Sequence, residues 1–123
     1  MDQPRTPGDW RYRPRSEGGI AEYVSTSGTI LFQMDCTPEI GVLLSIAGTN
    51  FNASAMQIRT ETANRRLAAD AREGWIQSVL RPQDRFLDAM AVTKGNFAVQ
   101  GEGLPPLYLP GWAEVTRVIE DCR

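Results

Sequence analysis

No histidine occurs anywhere in the 123 residues. That absence excludes a Ser-His-Asp or Cys-His catalytic arrangement within the chain, and any histidine-ligated metal site. Lysine is almost missing as well. Lys94 is the only one, so the basic side chains are nearly all arginines, a bias that GC-rich codons would produce by themselves. Only two cysteines are present, too few for a structural zinc site. No apolar run approaches the roughly 20 residues of a membrane span. Ile40 to Ala47 is the best stretch, broken by Gly41 and Ser45, and it reads as a buried strand. The net charge of −2 gives no general basic excess, which argues against nucleic acid as a partner. No cofactor motif is visible. Gly18-Gly19 reads as a hairpin turn, and Gly101-Glu102-Gly103 lacks the helix and lysine of a phosphate loop.

What is present reads as β structure. The length suits one domain with a single core. Residues 1–9 are polar and rich in proline and glycine, and read as a flexible arm. Residues 10–123 form the domain. Trp10 and Tyr12 alternate with Arg11 and Arg13, then Ser16 to Gly19 turns the chain into a second strand, Ile20 to Val24. Ile30, Phe32, Met34 and Cys36 alternate with polar residues in the clearest half-buried strand. Both faces of Ile40 to Ala47 are largely apolar, so that strand is expected to be central. Strands follow at Met56 to Thr62, Arg65 to Ala69 and Trp75 to Leu80.

The period then changes. Pro82 breaks the pattern, Asp84 can cap a helix, and Phe86, Leu87, Met90 and Ala91 follow at helical spacing. Asn96 to Gln100 and Leu107 to Leu109 are further strands. In a last helix, Trp112, Val115, Ile119 and Cys122 are expected to face the core, with Glu114, Arg117 and Asp121 facing water. The predicted fold is mainly β, an antiparallel β-sandwich or partly open barrel with two short helices.

Cys36 and Cys122 both fall on apolar faces near the ends of their elements, which makes them a disulfide pair. The alternative is two buried free thiols acting as small hydrophobes. A disulfide implies an oxidising compartment. With the polar start from Met1, this points to a periplasmic or otherwise exported chain whose signal or anchor has been removed.

The segments Asp84-Arg85-Phe86-Leu87-Asp88-Ala89-Met90-Ala91, Lys94-Gly95-Asn96-Phe97-Ala98-Val99, Leu107-Tyr108-Leu109-Pro110-Gly111-Trp112-Ala113-Glu114 and Arg117 to Arg123 resemble a group of small exported proteins of Gram-negative bacteria. Trp10 and Met34-Asp35-Cys36 fit the same group. More distantly the layout is similar to the invasion-associated locus B family, which is β-rich and exported, with a late Leu-Asp-Ala-Met helix. The resemblance implies fold class and export. It supplies no catalytic, metal or cofactor residues.

Catalytic candidates are poor. Asp84 and Asp88 lie one helical turn apart, but a cap and an exposed helix residue explain them. Lys94 reads as an ordinary residue at a helix end. Two arginine groups are candidate contacts for an anion or an acidic partner: Arg11 and Arg13 on the first hairpin, and Arg59, Arg65 and Arg66 on the second. A solvated strand face explains them equally. Trp10, Trp75 and Trp112 either pack the core or line an aromatic groove. These features suggest a non-enzymatic accessory domain that binds a protein or envelope component. The alternatives are a small-ligand carrier or enzyme with a pocket at the barrel mouth, and an inhibitor of a periplasmic cell-wall hydrolase.

Overall fold

A computed structural model describes residues 3–123; Met1 and Asp2, the start of the predicted arm, lie outside the described residues. The elements are β1 (Asp9–Pro14), β2 (Gly19–Val24), β3 (Ile30–Thr37), β4 (Gly41–Ala47), β5 (Ala55–Arg59), β6 (Asn64–Ala68), β7 (Asp70–Arg72) and β8 (Trp75–Leu80). They continue with α1 (Arg85–Ala91), β9 (Asn96–Gly101), β10 (Leu107–Pro110) and α2 (Ala113–Asp121). Two antiparallel sheets result, ordered β1-β2-β3-β4-β8-β7 and β10-β9-β5-β6. They do not close into a barrel, and the architecture is that of a sandwich.

The period-two apolar pattern fills the space between the sheets. Phe32, Met34 and Cys36 of β3 stand opposite Ile46, Leu44 and Val42 of β4, all fully or almost fully buried. From the other sheet come Met56, Ile58, Phe97, Val99 and Leu109. The four-stranded sheet is too narrow to cover the larger one, and α2 packs over β1, β2 and β3 instead. β4 is central, as expected.

The two flanks of the sandwich are joined differently. On one, the chain passes directly from β6 in the small sheet to β7 in the large one through Ala69, whose N–H donates to the Ser54 carbonyl at 2.9 Å. β7 then returns through Glu73 and Gly74, both at positive φ, as two-residue hairpins require. On the other flank, the arm connects edge strands β10 and β1. Thr6 N–H donates to the Tyr108 carbonyl at 2.8 Å, and the Thr6 hydroxyl accepts from Tyr108 N–H at 2.8 Å. The Tyr23 hydroxyl donates to the Thr6 and Gly8 carbonyls. The Asn96 side-chain amide donates to the Gln3 carbonyl at 3.0 Å, so the arm is hydrogen-bonded to the domain from Gln3 onward.

Several details differ from the sequence-based expectation. Ile40 lies in the turn before β4 and is 66% exposed, and β5 ends at Arg59, short of Thr62, because Thr60 turns the chain by bonding to Ala63. The three-residue strand β7 is additional, and its polar ends, Asp70 and Arg72, hide it from any periodicity. Trp112 does not face the core. It is the N-cap of α2, with extended backbone and 37% exposure, and the Arg5 guanidinium lies 4.9 Å from its ring centre. Pro110 and Gly111 delay the helix to Ala113, so Trp112 precedes the buried stripe. That stripe is Val115, Val118, Ile119 and Cys122.

Candidate functional site on the outer faces of the sandwich

Cys36 at the end of β3 and Cys122 capping α2 form a disulfide, with Cα atoms 5.5 Å apart and both residues buried. Around it the polar groups are tied to one another. Arg15 donates to the Asp35 carboxylate and, at 2.9 Å, to the Cys36 carbonyl. Tyr12 donates its hydroxyl proton to Asp121, and Arg117 stacks over the Tyr12 ring at 4.0 Å. This pole is a clamp between the first hairpin and the last helix.

The candidate arginines separate by strand parity. Arg11 and Arg13 both point outward from β1. Arg13 makes a two-pronged pair with the buried Glu22 carboxylate, at 3.0 and 2.9 Å, which satisfies a charge that could not otherwise be buried. Arg11 has no ion-pair partner among the described residues. These side chains line an open groove of 580 Å³ with Tyr12 and Ile30.

Arg65 is not grouped with Arg59 and Arg66. It stands opposite Ile58 on the inner side of β6 and reaches α1, where its Nη1 lies 2.8 Å from both Asp84 oxygens. Asp84 also accepts from Phe86 N–H at 2.8 Å, so the expected cap forms and Arg65 braces it. Arg123 grips the same helix through Asp88 and the Pro82 carbonyl. The Arg123 hydrogen bond holds the Asp88 carboxyl below its ordinary pKa.

On the outer face of the large sheet, register sets out rows across the strands. Arg11, Glu22, Gln33, Ser45, Gln77 and Asp70 form one polar row. Gln77 donates to Ser45 at 3.1 Å along it. The flanking rows are apolar only over β4 and β8, where Leu43 stands opposite Val79 and Ala47 opposite Trp75. Toward the sheet edges the first row continues through Asp35, Ile20 and Arg13, and Asp9 and Arg72 end the second. Leu43 and Trp75 are half-buried and Val79 is 46% exposed, with Ile40 at 66% in the neighbouring turn.

The outer face of the small sheet is polar. Ala55, Gln57 and Arg59 of β5 share it with Asn64 and Arg66 of β6 and with Ala98 and Gln100 of β9. Gln57 donates to Asn64 at 2.9 Å, and Gln100 donates to the Leu104 carbonyl at 2.9 Å. A groove of 250 Å³ runs over Ala55 and Met56, between Arg66 and the wall of Gln100, Glu102 and Gly103. The Arg66–Glu102 separation is 3.8 Å, a loose pair on the surface. At the groove's end, Glu102 accepts from Ser54 N–H at 2.8 Å, and Asn50 donates to the Glu102 carbonyl at 2.7 Å. The turn that Asn50 begins presents Phe51, 87% exposed, at its tip.

Sequence periodicity identifies Gln57 and Arg59 as a wet face, but not their neighbours Gln100 and Glu102, which depend on the β5–β9 pairing. Phe51 carries no sequence signal, because a lone aromatic between asparagines looks like any loop residue. No family model, curated protein or solved structure matches the chain.

Proposed function

We propose that this is a disulfide-closed accessory domain of an oxidising, exported compartment, which binds a folded protein partner through the outer face of its six-stranded sheet. One observation carries the reading: Val79 is exposed and Leu43 and Trp75 are only half-buried on either side of the Gln33–Ser45–Gln77 row. Over β4 and β8 the outer face carries Leu43, Ala47, Trp75 and Val79 interleaved with Ser45 and Gln77 and no charge, with charged residues only toward the sheet edges. That matches protein interfaces, whose centre is apolar and depleted in charge. Solvated outer faces of antiparallel sheets ordinarily alternate toward polar residues instead. The Cys36–Cys122 bond supports an oxidising setting, and the resemblance to exported bacterial proteins points the same way.

A photo-crosslinking residue at position 79, with one at position 117 as a control, tests this in envelope extract. The expected result is one protein adduct from position 79, absent from position 117 and lost in the Leu43→Glu background. No adduct, or the same adducts from both positions, would overturn the reading.

A further inference from the structure

We infer that the outer face of the four-stranded sheet is a second binding site, for an acidic oligosaccharide lying along β5 between Phe51 and Arg59. This face points away from the proposed protein-binding face, and its test stands or fails independently of the crosslinking result.

The argument begins with charge. Gln57 is opposite Arg66 and Arg59 is opposite Asn64, so Arg59 and Arg66 are diagonal neighbours on adjacent strands. Such neighbours lie about 7–8 Å apart, within reach for long side chains, and like charges there repel. Arg59 has no ion-pair partner among the described residues, and Arg66 has only the 3.8 Å contact with Glu102. The two nearby carboxylates are occupied at opposite ends. Glu102 holds Ser54 N–H, and Glu61 holds Lys94 N–H at 2.6 Å. Between them, two guanidiniums face solvent with unused donors suited to carboxylate oxygens.

The remaining groups select a sugar over other anions. Gln57 and Gln100 each use one N–H on Asn64 and Leu104, respectively, and keep a second N–H and the carbonyl oxygen on the floor and wall of the groove, matched to hydroxyls. Ala55 keeps the floor low, and it is buried at 4%. The run from Ala55 to Arg59 spans roughly 13 Å at the usual rise per residue, which suits an oligomer lying flat. A volume of 250 Å³ falls short of the usual enclosed ligand pocket of about 300–1,000 Å³, so the ligand would lie across the face.

An extended peptide fits less well. Peptides that bind to sheets take affinity from a free strand edge. β5 and β9, which floor the groove, are paired on both sides, the β10 edge is taken by Thr6, and the remaining edge, β6, contributes only Arg66 to the groove. The groove therefore offers side chains and no backbone ladder.

The test is an isotope-edited NMR titration of the intact oxidised protein with tetragalacturonate, and in parallel with a hyaluronan tetrasaccharide. Maltotetraose, tetraglutamate and inorganic phosphate serve as comparison ligands. At least one acidic sugar should shift Gln57, Arg59, Arg66 and Gln100 saturably, more tightly than any comparison ligand. Arg59→Gln and Arg66→Gln should each weaken it by about tenfold, the value of one charge-assisted contact, while leaving the melting temperature unchanged. The proposal is overturned by any of three results: no saturable shifts by either acidic sugar up to about 10 mM, a weak limit on the affinity scale; equal binding of tetraglutamate or phosphate; or wild-type affinity in both variants.

Discussion

The Tyr12 hydroxyl donates to the Asp121 carboxylate, joining the first strand to the last helix across 109 positions. The bond favours the neutral phenol, so the Tyr12 pKa is raised above its ordinary 10.0, chiefly by this hydrogen bond and secondarily by desolvation. A group whose pKa is raised on folding stabilises the native state below its unfolded pKa, and that contribution fades as pH rises through the folded value. Wild-type stability should therefore fall above about pH 10 more steeply than that of Tyr12→Phe. Phenolate absorbance provides the check, with Asp121→Ala expected to bring the Tyr12 titration back toward its ordinary value. Tyr23 will also titrate late in both proteins, because burial raises it. Identical titrations in wild type and Asp121→Ala would mean the bond does not form in solution.

Reduction of Cys36–Cys122 should be costly. The bond closes a separation of 86 residues, for which the chain-entropy estimate is about 4.6 kcal/mol. That is a large share of the roughly 5–15 kcal/mol net stability of a domain. Denaturant midpoints with and without reductant should differ accordingly. Hydrogen exchange should show α2 opening first, since Cys122 is its C-terminal tie. An unchanged midpoint would make the disulfide incidental to stability.

Trp112 and Ile119 should behave oppositely to what their sizes suggest. Ile119 is 1% exposed in the stripe of α2 that faces the large sheet, so Ile119→Ala should cost about 2–5 kcal/mol. Trp112→Ala removes a half-open ring and one exposed cation–π contact with Arg5, worth about 0.5–1 kcal/mol. Thermal denaturation of the two variants separates them, and a larger loss for Trp112→Ala would place the indole in the core after all.

That contrast shows where sequence reading succeeds and stops. The β3 alternation places Cys36 inward, and the helical spacing from Val115 places Cys122 inward, so the disulfide is legible from two local periods. Trp112 fails because a helical period says which residues share a face but not where the helix begins. The backbone at Pro110 and Gly111 decides that. Arg65 and Arg66 differ for a reason that is legible: adjacent strand residues point to opposite faces. Their destinations are not, because Asp84 and Glu102 come from distant elements. The candidate sites are less readable again. They are rows across strands, and a row exists only once register is known. Gln57 meets Gln100 across 43 positions, and Leu43 meets Val79 across 36.

Gly18 gives a last prediction, about packing at the disulfide. Its φ is +78°, and an added Cβ would lie 2.5 Å from the Cys36 carbonyl oxygen and 2.8 Å from its sulfur. Gly28 has a similar φ of +90° with nothing within 4 Å of such a Cβ. Both alanine variants therefore carry the cost of left-handed backbone, roughly 1–3 kcal/mol. Only Gly18→Ala adds a collision, with a sheet-held backbone carbonyl and a crosslinked sulfur, neither of which can move aside as a flexible side chain end would. Gly18→Ala should be clearly the less stable of the two in chemical denaturation, and most of its excess loss should persist when both proteins are reduced, because the nearest atom is the Cys36 backbone carbonyl, held in the β3–β4 pairing. Equal losses in the oxidised state would mean the hairpin can shift away from Cys36 at little cost, and that the first turn does not press on the disulfide.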